Sequence, residues 1–229
     1  MDPIEITYYT DPLCCWSWGM EPAILQLRQE YGEKISWRFC MGGLIPNWNR
    51  FIDPLNNVNR PIQMGPVWMH AASITGMKIK HTIWFSDPPS SSYPSCIAFK
   101  SVQLQSPDLA IRYLQLLRSA CMLDGINISK SNELFRLAKM LKQKNPAFDL
   151  ALFKKQFKDG SGTSAFRADL DEIRLKNISR FPTLLFRKKN SHSLIATGYR
   201  PYEALLEIVN ELLPENSKIL KPENQTPVT

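Results

Sequence analysis

The chain has 229 residues, 44% of them hydrophobic, five cysteines and a formal net charge of +7. That length and apolar content suffice for a full core without disulfide staples, and no run of about 18 apolar residues exists to form a membrane-spanning helix. The opening residues Met-Asp-Pro-Ile-Glu-Ile-Thr lack the basic and apolar parts of a secretory leader. The odd, scattered cysteines fit free thiols in a reducing cytoplasm, so a cytoplasmic protein with no membrane association is expected. Six basic residues gather at 174–189 (Arg174, Lys176, Arg180, Arg187, Lys188 and Lys189). They read as a solvated face, or as an attractor of an acidic ligand or partner; no nucleic-acid-binding motif accompanies them.

Residues 4–9, Ile-Glu-Ile-Thr-Tyr-Tyr, alternate as a strand does. The turn Asp-Pro-Leu-Cys-Cys-Trp-Ser-Trp-Gly at 11–19 follows. Ile24, Leu27 and Tyr31 then share one helical face, with Pro22 tolerated early or kinking the helix and Gly32 placed to end it. Residues 35–40, Ile-Ser-Trp-Arg-Phe-Cys, read as a second strand, and strand–helix–strand is what a parallel pair needs. Residues 41–65 form a long connection of the kind that often shapes a site. Within it, Gly42-Gly43 either passes close to the turn at 11–19 or merely makes a bend.

Helical periods cover 66–77, 94–105, 107–122, 131–144, 149–158 and 163–176. The start at Ser106-Pro107 is the clearest: a serine cap, proline in the first turn, and Leu109, Tyr113, Leu116 and Ala120 on one face. Strand character returns at 183–186 and 194–197 around a Lys-Lys-Asn-Ser turn, a hairpin. Residues 201–213 then close the fold as an amphipathic helix through Leu205, Ile208, Val209 and Leu212. The predicted organisation is one α/β domain from 1–65 and 177–213, a helical insertion at 66–176, and a flexible polar tail at 214–229.

Cys14 stands where strand gives way to helix. First-turn amides and the positive end of the helix dipole there favour thiolate over thiol. The motif Asp-Pro-Leu-Cys-x-Trp-x-Trp-Gly at 11–19 is accompanied by Met-Gly-Gly-Leu at 41–44, Gly-Pro-Val-Trp at 65–68, Ser-Ser-Ser-Tyr-Pro-Ser-Cys at 90–96 and Phe-Pro-Thr at 181–183. As a set spanning about 2–213 these resemble the DsbA-like thioredoxin family, in its FrnE-type cytoplasmic branch. The resemblance implies an α/β thioredoxin fold with a large all-helical insertion, between an N-terminal βαβ and a C-terminal ββα, lying over the active-site face.

That branch carries two cysteines separated by two residues. Cys14 occupies the first position, Ser17 replaces the second, and Cys15 lies between. The expected site is therefore monothiol-like: Cys14 as nucleophile forming mixed disulfides, Ser17 as its hydrogen-bonding neighbour. A 14–15 disulfide needs a strained eight-membered ring, so Cys15 either resolves transiently or fills space. Phe181-Pro182-Thr183 resembles the family's cis-proline loop, with Phe181 and Thr183 flanking a substrate groove. Trp16 is expected on that groove and Trp18 in the core. Trp68 is read as the roof of the pocket or as core.

Ser90–Ser92 are expected to cap the helix opening at Tyr93-Pro94. Cys40, Cys96 and Cys121 are expected as small core residues. His70, His81 and His192 show no paired spacing, and no metal-ligand cluster is present.

Three functions compete. The first is a thiol–disulfide oxidoreductase or isomerase acting on protein thiols and disulfides, with glutathione as possible co-substrate and no tightly bound cofactor. The second is a glutathione-dependent transferase or isomerase of the kappa-class type using Ser17. The third is a non-catalytic protein adaptor, which some relatives in this family are.

Overall fold

The computed structural model describes residues 3–189 and 191–213. Its four strands form one sheet in the order β2-β1-β3-β4. β1 (Ile4–Thr10) runs parallel to β2 (Ile35–Met41), with Ile4 opposite Ile35 and Thr10 opposite Met41. β3 (Thr183–Arg187) is antiparallel to β1, Tyr9 opposite Thr183. β4 (Leu194–Thr197) is antiparallel to β3. α1 (Cys15–Tyr31) makes the crossover between the parallel strands, ending at Gly32 with φ +49° and its N–H on the Arg28 carbonyl. The closing helix is α9 (Tyr202–Leu212).

β1 departs from simple alternation, since Glu5 alone among its residues is exposed. Ile4, Ile6 and Tyr8 enter the main core. Tyr9, on the other face, is buried with Cys40 and Leu185 beneath Ile173 of the helix Ser161–Leu175. A central strand covered on both faces loses the polar half of its pattern.

Along the chain, between β2 and β3, come α2 (Met64–Thr75), α3 (Ile83–Ser86), α4 (Tyr93–Gln103), α5 (Pro107–Met122), α6 (Ser131–Lys144), α7 (Leu150–Lys158) and α8 (Ser161–Leu175). Six of them coincide with the segments read from periodicity. The single-turn α3 was not predicted, because four residues are too few for a 3.6-residue period to show. It buries Trp84 edge-on against Trp68, ring centroids 5.1 Å apart.

α5 starts as the sequence indicates, with the Ser106 hydroxyl accepting from the Leu109 amide at 3.3 Å. Of the expected face, Tyr113 and Ala120 are inside while Leu109 and Leu116 lie at the edge, and Ala110, Leu114, Leu117 and Cys121 are buried as well. α5 packs against α4, α6 and α1 at once, so its apolar surface is wider than one stripe.

One continuous apolar cluster joins Tyr8 and Phe39 on the sheet to Phe99, Tyr113, Leu137 and Phe153 in the helices. Asp169 of α8 adds a polar fastening. One carboxylate oxygen is 2.9 Å from Lys100 Nζ, and the other accepts from the Met41 amide at 2.8 Å, at the end of the edge strand β2. Cys40, Cys96 and Cys121 are buried free thiols, as expected. None of the described helices is long and apolar enough to cross a membrane. The predicted tail at 214–229 lies outside the described residues.

Candidate functional site

Cys14 is itself the cap of α1. Its backbone is extended (φ −79°, ψ 109°), and its sulfur accepts from the Ser17 amide at 3.4 Å. The same sulfur donates to the Phe181 carbonyl, also at 3.4 Å, beside a cis Phe181–Pro182 bond. Both contacts suit a neutral thiol: one lone pair takes an N–H and the S–H meets a carbonyl. Cys14 is only 4% exposed.

The expectation of a depressed Cys14 pKa needs correction. Burial pushes this thiol up; the Ser17 side chain and amide oppose the shift, the Asp11 charge adds to it, and Arg118 opposes it. One long amide contact does not compensate for removing the anion from water. The Ser17 hydroxyl has no hydrogen-bond partner of ordinary geometry, so the firm contact from residue 17 is its amide. Ser17 is fully buried and is not on the wall of the adjoining cavity.

Asp11, the first residue of the motif, braces the turn from inside. Its carboxylate accepts from the Leu13 amide at 2.8 Å, the Leu44 amide at 2.7 Å and the Cys96 thiol at 3.4 Å. Burial raises its pKa against the pull of those two amides. The turn is thereby tied to the loop after β2 and to α4.

Arg118 of α5 sits beneath the same turn, almost wholly buried. Its guanidinium is 2.6 Å from Glu21 Oε2 in α1, donates to Thr10 Oγ1 at the end of β1, and lies 6.0 Å over the Tyr8 ring. Tyr8 in turn donates to the Ser17 carbonyl at 3.4 Å. Arginine is suited to such a site because its planar fork serves several acceptors at once. Sequence reasoning singled out neither Asp11 nor Arg118. The available signal for Asp11 was its place at the head of the motif; a lone arginine on a helix gave none.

Gly42-Gly43 does both things left open by the sequence. The Gly42 amide donates to the Thr10 carbonyl at 2.6 Å, and a Cβ on Gly42 would stand 2.5 Å from the Phe181 ring. Gly43 turns the chain with φ +60°. Gly42→Ala is expected to cost about 1–3 kcal/mol by overpacking. It should also shift Phe181 off the Cys14 sulfur and speed alkylation of Cys14, read by mass spectrometry.

Cys14 opens onto a cavity of about 930 Å³ whose wall includes Cys15, Trp16, Gly42, Met64, Phe181 and Tyr199. Trp16 stands edge-on to His70 at 5.6 Å. Cys15 touches this wall but is packed in the apolar core, and burial holds its thiol well above the ordinary range. Pro182 and Thr183 are buried and off the wall; the Thr183 hydroxyl donates to the Arg180 carbonyl at 2.8 Å. Of the expected flanking pair, Phe181 alone faces the cavity.

Of the two places read for Trp68, pocket roof is ruled out and core holds. It is fully buried against Trp84, and Met64 and Val67 of the same helix form the wall instead. Trp18 is in the core, its indole N–H on the Lys78 carbonyl at 3.1 Å. Of the serines before Tyr93, Ser91 caps the helix as expected, its Oγ accepting from the Tyr93 amide at 3.0 Å, and it also donates to the Pro46 carbonyl at 2.8 Å. Ser92 braces the loop instead, its Oγ accepting from the Ile45 amide at 3.1 Å. Among the described residues, no three His, Cys, Asp or Glu side chains are arranged to hold a metal ion.

A cysteine capping the first helix, a proline loop against its sulfur and a helical block following β2 in the chain mark a thioredoxin fold with a helical insertion. The thioredoxin family model matches residues 8–207, and the chain belongs to that family.

In sequence it is similar to the ClpXP adapter protein SpxH of Halalkalibacterium halodurans, 28% identical over 99% of this chain and 72% of that one. The SpxH of Bacillus subtilis is also 28% identical, over 94% of this chain and 70% of the relative. In structure it is similar to a putative protein disulfide isomerase from Nitrosomonas europaea, with TM-score 0.74, 22% identity, and 92% and 97% of the two chains covered. The cytosolic disulfide reductase DsbM from Pseudomonas aeruginosa follows with TM-score 0.70, 17% identity, and coverage of 91% and 100%.

Proposed function

We propose that this chain is a polypeptide-binding adaptor built on a thioredoxin fold, in which Cys14 does not turn over dithiols. The observation that carries the reading is the second motif position. A buried serine stands there, and the other nearby thiol, Cys15, is packed in the core. A hydroxyl cannot take over a disulfide, so a mixed disulfide at Cys14 has no intramolecular exit. The raised thiol pKa lowers the thiolate fraction further. The SpxH relatives, named ClpXP adapters, support the same reading.

The test is delivery. Purified ClpXP, a candidate client and this protein are combined, and client degradation is followed over time. Faster degradation that persists with Cys14→Ala is the expected result; acceleration that vanishes with Cys14→Ala would place thiol chemistry at the centre instead.

A second reading, monothiol exchange with glutathione, is favoured by one specific feature. The Cys14 sulfur borders a cavity large enough for a small peptide ligand, and a DsbM structure with GSH shares the fold at TM-score 0.68. Catalysed reduction of a glutathione mixed disulfide, abolished by Cys14→Ala, would support it. The kappa-class alternative is weakened because the Ser17 hydroxyl is sealed from the cavity.

A further inference from the structure

The cavity beside Cys14 carries two arginines that the fold itself does not use. Arg50 comes from the loop after β2 and Arg180 from the segment before the cis bond, and both line the same space. Neither guanidinium has a carboxylate partner among the described residues. Neighbouring basic groups do: Arg174 with Asp171 at 3.3 Å, and Lys176 with Glu172 at 2.7 Å.

Among the described residues Asp53 is the one carboxylate on the wall, and its oxygens are taken by its own turn. They accept from the Leu55 amide at 3.0 Å, the Asn56 amide at 3.2 Å and the Asn56 side-chain amide at 2.6 Å. The cavity is therefore cationic, with unspent donors suited to bidentate carboxylate recognition. On the same loop Ile52 and Leu55 are 73% and 67% exposed and line the same cavity.

Resting on the adaptor reading above, we propose that this cavity docks a segment of the partner protein in which carboxylates alternate with apolar side chains. Arg50 and Arg180 hold the carboxylates, and Ile52 and Leu55 cover the apolar positions. A small inorganic anion would satisfy the arginines but leave a space of about 930 Å³ and both apolar side chains uncovered.

The experiment uses the full chain and two fluorescein-labelled peptides, one alternating leucine with aspartate and one alternating leucine with asparagine. Anisotropy gives both affinities at low and at physiological salt, and alkylation of Cys14 with and without peptide reports whether binding is in this cavity. The aspartate peptide is expected to bind at least about tenfold more tightly, through two charge-assisted contacts. The preference should shrink as salt rises, and the bound peptide should slow Cys14 alkylation. Arg50→Gln/Arg180→Gln should abolish the preference, whereas Arg112→Gln, on α5 away from the cavity, should leave it intact.

Equal affinity for the two peptides, no binding of either, a preference that survives the double variant, or binding that leaves Cys14 alkylation unchanged would each overturn the proposal. The delivery assay separates this from the adaptor reading. Delivery by the wild-type protein with no acidic preference sinks the acidic segment alone; no delivery sinks the adaptor.

Discussion

On the adaptor reading, Ser17→Cys is expected to introduce reduction and reoxidation of protein disulfides over many cycles. The sulfur of Cys14 already reaches back to the amide of residue 17 at 3.4 Å, so the two side chains belong to the same first turn of α1. A thiol at position 17 would give any mixed disulfide on Cys14 an intramolecular exit, which serine cannot provide. Insulin reduction and the reduction potential of the variant check this. The potential should fall within roughly the −270 to −120 mV spanned by enzymes with two cysteines in this arrangement. Robust turnover by the unaltered protein, equal to that of the variant, would show that residue 17 is not what limits it.

Arg118→Met should have the largest effect on stability. The arginine and Glu21 are both buried, their side chains 2.6 Å apart. Removing one partner leaves the other charge in the interior, a loss of about 3–5 kcal/mol. For a chain of this size that corresponds to a fall in Tm of roughly 6–20 °C. The double variant Arg118→Met/Glu21→Met should recover much of the loss, since apolar groups replace both charges. Urea denaturation of the three proteins gives the comparison. Because Arg118 opposes the upward shift of Cys14, the single variant should also alkylate more slowly at Cys14. A cost below about 1 kcal/mol, the range of exposed pairs, would mean that the pair is solvated in solution.

The frame of the molecule was legible because its signals are local. Ile24, Leu27, Tyr31 and Gly32 write one helix and its end, and Ser106-Pro107 writes the start of another. The cysteine turn and the Phe-Pro-Thr segment likewise announced two parts of the site. The features that set its chemistry depend on distant partners. The Cys14 thiol is held by a carbonyl 167 residues away, and Arg118 meets a glutamate 97 residues away. An arginine within a helical period reads as exposed until its neighbours are known. Ser91 caps its helix as the sequence indicates, but the bond of Ser92 to the Ile45 amide, 47 residues away, has no local signal. Trp68 illustrates the same limit, since roof and core differ only in which way one helix is rotated.

The pKa of the Cys14 thiol tests the account most directly. Alkylation across pH, with peptide mapping to isolate residue 14, measures it without a substrate. A folded-state value raised by burial means that the native protein keeps its proton at pH 7, so alkylation should be slower than that of a free cysteine and should rise only toward alkaline pH. The predicted midpoint is at or above the free-cysteine value of about 8.5. A midpoint well below that value would contradict the account and restore a catalytic thiolate at the head of α1.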